Sequence, residues 1–212
     1  MTTYSFKVRA FKKVGNTKVY GAFSAVLNMQ TLPKTSKITI KSNTFNTVKY
    51  NITNAAGATK YIVERSTNGK TYLPVATLTK KGTYTDKNLK TGYTYYYRVK
   101  ACNAYNVCST VSKVVKRKLE LKKPTIKVTS KTVGQSVVKV PAVAGANGYE
   151  IQRSLSKSSG YVVVKDVTNA TSVTDTGLIS KKKYYYRVRA YRMVDGKKVY
   201  SAFSKVVTVK AK

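Results

Sequence analysis

The chain has 212 residues, and 41 lysines and arginines against seven aspartates and glutamates give it a formal net charge of +34. Histidine is absent, and neither a phosphate-binding loop nor a serine or cysteine nucleophile beside a base is found, so the usual catalytic sites cannot be assembled. We therefore predict a protein that is not an enzyme and takes no cofactor or metal, and the lack of any stretch near the roughly 20 apolar residues of a membrane span predicts no transmembrane segment.

The first recognisable phrase of the chain, Tyr4–Phe11, occurs three times. It returns as Tyr95–Cys102 and as Tyr184–Tyr191, at offsets of 91 and 89 residues. A fixed period of this length indicates an array of small domains that reuse one structural unit. Prolines at the start of two copies mark the boundaries, since proline cannot donate to a β-ladder. The predicted divisions are a partial repeat at 1–31 and two complete domains at 32–121 and 122–212.

Alternating residues predict the secondary structure. The runs Val48–Ile52, Tyr61–Val63, Tyr95–Ala101 and Tyr184–Ala190 place apolar residues at every second position, which is the period of half-buried strands. Glycine- and asparagine-rich turns separate these runs, and no window has a comparable helical period. Short strands with such punctuation predict an all-β sandwich.

These residues resemble fibronectin type III repeats, in particular the lysine-rich tandem copies of Gram-positive bacterial surface and secreted proteins. The resemblance implies two tandem immunoglobulin-like β-sandwiches, preceded by a hairpin of strands F and G at residues 1–31. One departure is that Ile52 and Val140 stand where the family usually has a strand B tryptophan. The segments that carry the resemblance are Gly145–Ser154, Asp175–Leu178, Tyr184–Ala190 and Val199–Ser204, with weaker versions at Gly57–Ser66 and Asp86–Leu89.

Two tyrosines match the tyrosine corner of such sandwiches. Tyr95 and Tyr184 each follow a leucine by six residues, and Tyr4 is their counterpart in the first copy. In a tyrosine corner the phenol hydroxyl bonds to the upstream backbone and fixes the crossover between the sheets. We therefore assign a structural role to these residues.

The partial repeat lacks sheet partners. A lone two-stranded hairpin is marginal in water, so we expect residues 1–31 to fray, to lean on the next domain, or to pair with an edge of another chain. We also expect the chain to be a piece of a longer multi-repeat protein, with other domains of that chain among its partners.

Two cysteines, Cys102 and Cys108, bracket the turn between strands F and G of the middle copy. The other copies hold aromatic pairs at these positions, which suggests that the two residues face each other across a hairpin. A structural disulfide, two reduced thiols, and a redox or metal role are three readings of this pair. A disulfide would favour an oxidising, extracytoplasmic setting.

The outward face of strand F, which is Tyr95–Ala101 in the middle copy and Tyr184–Ala190 in the last, is the candidate binding site. Aromatic and cationic side chains together on a flat sheet can stack on sugar rings or bases and neutralise phosphate, although the same pattern also serves to shield an exposed sheet. We further expect Glu64 and Glu150 to form exposed cross-strand ion pairs with Arg98 and Arg187. The candidate residues for anion or glycan contact are Tyr96, Arg98, Lys100, Tyr185, Arg187 and Arg189.

The sequence thus predicts a non-catalytic spacer and binding module of a bacterial cell-surface or secreted protein. Its charge favours anionic cell-wall polymers or glycans as partners, and the resemblance implies an extracellular or cell-surface location. A basic nucleic-acid-binding protein is the alternative from another class, but no helix is predicted to enter a groove. A purely mechanical spacer is the third interpretation.

Overall fold

The computed structural model describes residues 2–169 and 171–212. Strands, turns and loops make up this part of the chain, and none of it forms a helix that could cross a membrane. The predicted all-β architecture is confirmed. Met1, in the predicted partial repeat, and Ala170, in the predicted domain 122–212, lie outside the described residues.

The first four strands form two small antiparallel sheets, β1 with β4 and β2 with β3. In the β1–β4 pair, Tyr4 lies opposite Met29 and Phe6 lies opposite Leu27. Nearly all side chains of this segment are exposed. The strands are β1 (Thr3–Phe6), β2 (Phe11–Val14), β3 (Thr17–Tyr20) and β4 (Leu27–Gln30).

The next seven strands build the first sandwich from two sheets. One sheet has the order β5-β6-β9, and the other has the order β11-β10-β7-β8. The strands are β5 (Ile38–Asn43), β6 (Val48–Ile52), β7 (Lys60–Ser66), β8 (Leu73–Leu78), β9 (Gly82–Asp86), β10 (Thr94–Cys102) and β11 (Val115–Lys118).

The last eight strands build the second sandwich. One sheet has the order β12-β13-β16, and the other runs β15-β14-β17-β18, with β19 also paired to β17. The strands are β12 (Lys127–Thr129), β13 (Ser136–Lys139), β14 (Gly148–Ser154), β15 (Val162–Thr168), β16 (Ser172–Asp175), β17 (Lys183–Val194), β18 (Lys197–Tyr200) and β19 (Val207–Lys210).

Tyrosines fill much of both cores. Tyr97 is fully buried in the first sandwich, where its ring lies 5.5 Å from that of Tyr50. Tyr186 takes the same place in the second sandwich. Ile52 and Val140, which stand where fibronectin type III repeats usually have a strand B tryptophan, are both buried. Large rings therefore supply the apolar area that the smaller aliphatic residues do not.

Contacts group the chain into two compact units. The first contains residues 2–41, 49–85 and 95–117, and the second contains residues 42–48, 86–94 and 118–212. The divisions at 1–31, 32–121 and 122–212 follow the sequence repeat and stay a prediction.

Candidate functional site

Strands β10 and β17 each divide their side chains between core and surface. Along β17, Tyr184, Tyr186 and Val188 are buried, whereas Tyr185, Arg187 and Arg189 are half-buried on the opposite face. The β10 strand repeats the pattern, because the strict alternation that buries three residues must turn their neighbours outward. Its half-buried residues are Tyr96, Arg98 and Lys100.

The arginines of β17 lie between aromatic rings. The guanidinium of Arg187 is 4.1 Å from the ring centroids of both Tyr161 and Phe203. Arg189 lies 3.7 Å from the centroid of Tyr200 and 5.0 Å from that of Phe203. Rings and guanidiniums therefore alternate in one stack, which holds both cations by cation–π attraction. We call these five residues the second-sandwich stack.

Two serines hold the loop of residues 201–206, which carries Phe203, against β17. The hydroxyl of Ser201 accepts a hydrogen bond of 3.0 Å from the backbone N–H of Ala190, and that of Ser204 accepts one of 3.1 Å from Val188. The backbone N–H groups of both serines donate to the carbonyl oxygens of the same two residues at 2.8 Å. These bonds attach the loop that connects β18 and β19 to β17, in place of a regular strand ladder. Phe203, between the two serines, lies over the arginines.

The first copy has part of the same stack. Arg9 lies 3.8 Å from the ring centroid of Tyr20 and 4.6 Å from that of Phe23, and the ammonium of Lys7 lies 4.3 Å from Phe23. Ser24 accepts a hydrogen bond from the N–H of Val8 at 3.1 Å. The stack is therefore a repeated local structure of the chain.

The first sandwich keeps the serines but loses these rings. Ser109 and Ser112 accept hydrogen bonds from the β10 backbone, as their counterparts do from β17. Cys102 and Cys108 are joined by a disulfide, at the places where the other copies have facing aromatic pairs. Arg98 retains one ring, that of Tyr72 at 4.1 Å.

Buried glutamates lie beside the cations. Glu64 on β7 accepts bonds from Arg98 at 2.6 Å and Lys100 at 3.1 Å, and Glu150 on β14 accepts two from Arg189 at 2.9 and 3.0 Å. The sequence interpretation that Glu150 pairs with Arg187 is wrong. The register places Glu150 opposite Arg189 and Gln152 opposite Arg187.

The two glutamates are also buried, with 6% and 5% of their surface exposed, so the prediction of exposed ion pairs is corrected as well. Burial raises the pKa of each carboxyl, but hydrogen bonds from Arg98 and Lys100 to Glu64, and from Arg189 to Glu150, outweigh it. The pKa of both glutamates therefore lies below the ordinary value. Each glutamate is ionised at neutral pH and neutralises one of the two cations on its face.

The predicted structural tyrosine of the second sandwich lies at the sheet crossover. The hydroxyl of Tyr184 accepts a hydrogen bond of 2.9 Å from the N–H of Ile179. Nearby, the hydroxyl of Tyr186 donates to Asp175 at 2.6 Å, and Arg153 donates to the same carboxylate at 2.9 Å. Burial, with the hydrogen bond to Asp175, raises the pKa of the Tyr186 phenol. Tyr95 is equally buried in the first sandwich.

Sequence reasoning missed the rings that complete the stack. Tyr161, Tyr200 and Phe203 were not among the candidate residues, although the near-repeat of Tyr20–Ser24 as Tyr200–Ser204 was a signal for them. The described residues contain no group of three or more carboxylate or cysteine side chains that could hold a metal ion. The candidate site is therefore a flat surface of stacked cations and rings.

Comparison with known proteins supports the fold. No protein-family model and no curated protein matches the chain. The two-domain fibronectin type III segment of chicken tenascin is similar, with a TM-score of 0.55 and 14% identity over 84% of this chain and 99% of that one. The FN1–FN3 domains of chicken CNTN1 align at a TM-score of 0.39 and 17% identity, over 97% of this chain and 77% of that one. The likeness to the tenascin segment confirms the predicted fold class, two tandem fibronectin type III-like sandwiches.

Proposed function

We propose that this chain is a non-catalytic spacer and binding module of a bacterial cell-surface or secreted protein, and that its stacked cations hold anionic cell-wall polymers or glycans. The observation that carries the proposal is the second-sandwich stack. There two guanidiniums lie on one surface while a single carboxylate, that of Glu150, neutralises only one of them.

Arg187 is the cation best placed to bind an anion. Its Nε donates to the neutral side chain of Gln152 at 2.8 Å, and the ion pairs of the described residues include none to Arg187. Its stacking between two rings fixes the guanidinium, so little side-chain entropy is lost when a ligand binds. A planar guanidinium matches phosphate and carboxylate oxygens in pairs. Half-exposed rings on either side offer faces to a sugar.

The rest of the chain supplies a long-range field. At least six of the seven carboxylates take part in an ion pair with lysine or arginine. Most of the 41 basic side chains therefore have no carboxylate partner. A polyanion is attracted to a chain with this excess of positive charge, and salt weakens that attraction. The disulfide supports an oxidising location, as in secreted proteins.

The test separates the stack from the general field. Binding of the intact chain to purified wall teichoic acid, a phosphate polymer, is measured by calorimetry for wild type, Arg187→Gln and Lys205→Gln. Both variants lose one positive charge, but Lys205 is an exposed residue of the loop before β19. Loss of a charge-assisted contact to the polymer should make the arginine variant about tenfold weaker than the lysine variant.

Equal affinity of the two variants would contradict the proposal and leave the chain a spacer with a diffuse positive field. Binding of all three proteins should fall steeply toward about 0.5 M salt, because screening at that concentration reaches the charges at the surface. The rival function is tested in parallel with single-stranded RNA. Sequence-preferring RNA binding that survives heparin would replace the proposed polymer with a nucleic acid.

A further inference from the structure

One face of the first copy is apolar and open. Tyr4 and Phe6 share one side of β1, Val8 continues their alternation two residues further on, and Met29 and Leu27 lie opposite Tyr4 and Phe6 on β4. Between 48% and 72% of each of these side chains is exposed. We call these five residues the open face. Contiguous apolar surface of this kind on a small element indicates a contact surface.

The second sandwich contains the same face in a covered form. A constant offset of 180 residues relates residues 1–32 to residues 181–212, so that Tyr4 matches Tyr184, Phe6 matches Tyr186 and Val8 matches Val188. Even the strand pairing is the same, because Val209 lies opposite Tyr184 as Met29 lies opposite Tyr4. The three residues on β17 are at most 5% exposed. An identical register therefore gives opposite burial in the two copies.

The structure also contains the cover. In the second sandwich the β17 face packs against apolar side chains of β12, β13, β14 and β16, all within residues 122–180. Val138, Val140, Tyr149 and Ile151 are the most deeply buried of them. Residues 122–180 thus cover a face in which Tyr184, Tyr186 and Val188 have the same spacing as Tyr4, Phe6 and Val8 of the open face.

Backbone pairing indicates the same partner independently. β1 belongs to a two-stranded sheet in which β4 is its neighbour. Its counterparts β10 and β17 have a strand on each side, and the additional strands are β7 and β14. The free edge of β1 therefore offers backbone groups to a further strand. A segment like residues 122–180 brings both the missing strand and the apolar cover.

We propose that the open face is a docking surface for a half-sandwich of the same repeat type, built like residues 122–180 and covalently joined ahead of Tyr4. Covalent attachment is the source to which we commit, because it keeps the half-sandwich at a high effective concentration next to the hairpin. A second copy of this chain fits less well, since two such faces would bring together chains of charge +34. This inference does not depend on the proposed polymer binding.

The test is a fusion in which residues 122–180 are placed directly before residue 1 of the full chain. The offset of 180 residues makes this junction continue the repeat in register. Hydrogen exchange of the amides in β1 and β4 is measured by mass spectrometry in the 212-residue chain and in the fusion. We expect exchange at least about 100-fold slower in the fusion, because a complete sandwich replaces a lone hairpin that opens easily.

A matched fusion carries Val138→Asp in the added segment only, which should abolish this protection. Unchanged exchange in the unmodified fusion would overturn the proposal. Protection already present in the 212-residue chain, together with a dimeric mass, would also overturn it in favour of a second copy.

A second measurement does not require the fusion to fold. Nile red, an uncharged dye, should fluoresce with the 212-residue chain, and Phe6→Asp should reduce that signal at least about twofold because it places a charge on the open face. Val133→Asp is the control, since Val133 is 68% exposed and lies outside the open face. Equal effects of the two variants, or no dye binding by the parent chain, would refute an open apolar face.

Discussion

Glu150→Gln should destabilise the second sandwich by about 1–3 kcal/mol. The carboxylate is 5% exposed and accepts bonds from Arg189 Nε, Arg189 Nη2 and Gln152 Nε2 at 3.0, 2.9 and 2.7 Å. The glutamine keeps the volume but places an amide N–H₂ where one oxygen accepted a guanidinium proton. A hydrogen bond to a charged group contributes about 1.5–3 kcal/mol, and the partial exposure of Arg189 lets water recover some of the loss.

Native-state hydrogen exchange of peptides from β14 and β17 measures this change directly as a free energy of opening. The control is Glu120→Gln, which makes the same substitution in an ion pair with Lys118 whose side chains are 61% and 59% exposed. We expect less than about 0.5 kcal/mol there. Equal losses for the two variants would refute the argument that burial of the pair, and not its charge alone, determines its contribution.

Three further predictions concern stability. Replacing both Cys102 and Cys108 by alanine should cost the first sandwich about 2 kcal/mol, because the disulfide closes a short loop. Urea unfolding with and without reductant measures this loss, and wild type under reductant should match the variant. Since the pKa of Glu64 is depressed in the folded chain, the contribution of its carboxylate to folding stability is complete above the ordinary pKa of 4.5 and is lost as pH falls through the lower folded value. The urea midpoint should therefore drop between pH 7 and pH 3, and it should drop less for Glu64→Gln. Tyr184→Phe removes the hydroxyl that accepts a part-buried hydrogen bond from the N–H of Ile179 and should cost about 0.5–1.5 kcal/mol by thermal unfolding, whereas Tyr185→Phe, on the outer face, should stay within about 0.5 kcal/mol.

Strand F could be predicted from the sequence almost residue by residue. The alternation from Tyr184 to Ala190 identified which side chains are buried, and the structure places Tyr184, Tyr186 and Val188 in the core. A period of two leaves no freedom in that assignment once one face is covered. The end of the strand was not predicted, because the alternation stops at Ala190 whereas β17 continues to Val194.

Pairing across strands could not be predicted in the same way. Glu64 lies opposite Arg98, but its structural counterpart in the second sandwich is Gln152, opposite Arg187. Glu150 lies two residues before Gln152 on the same face of β14, which places it opposite Arg189. Both arrangements satisfy the alternation equally well, so only the register of the formed sheet decides which cation receives the carboxylate.

Comparison of the three copies explains why the first sandwich has a disulfide. Where the rings are present, the strand F cation is an arginine, whose flat guanidinium stacks on them. Where the rings are absent, that cation is Lys100, a point charge that pairs with Glu64. In the first sandwich the loop that begins at Ser109 therefore lacks stacking to hold it against strand F. The Cys102–Cys108 bond ties the residue just before this loop covalently to the end of β10. One serine that accepts a hydrogen bond from the strand F backbone is common to all three copies (Ser24, Ser112 and Ser204), whereas the other, Ser109 or Ser201, is replaced by Gly21 in the first copy. Stacking and disulfide are therefore alternative means of fixing the same loop. The corresponding sets are Arg9 with Tyr20 and Phe23, Lys100 with Cys108 and Val111, and Arg189 with Tyr200 and Phe203.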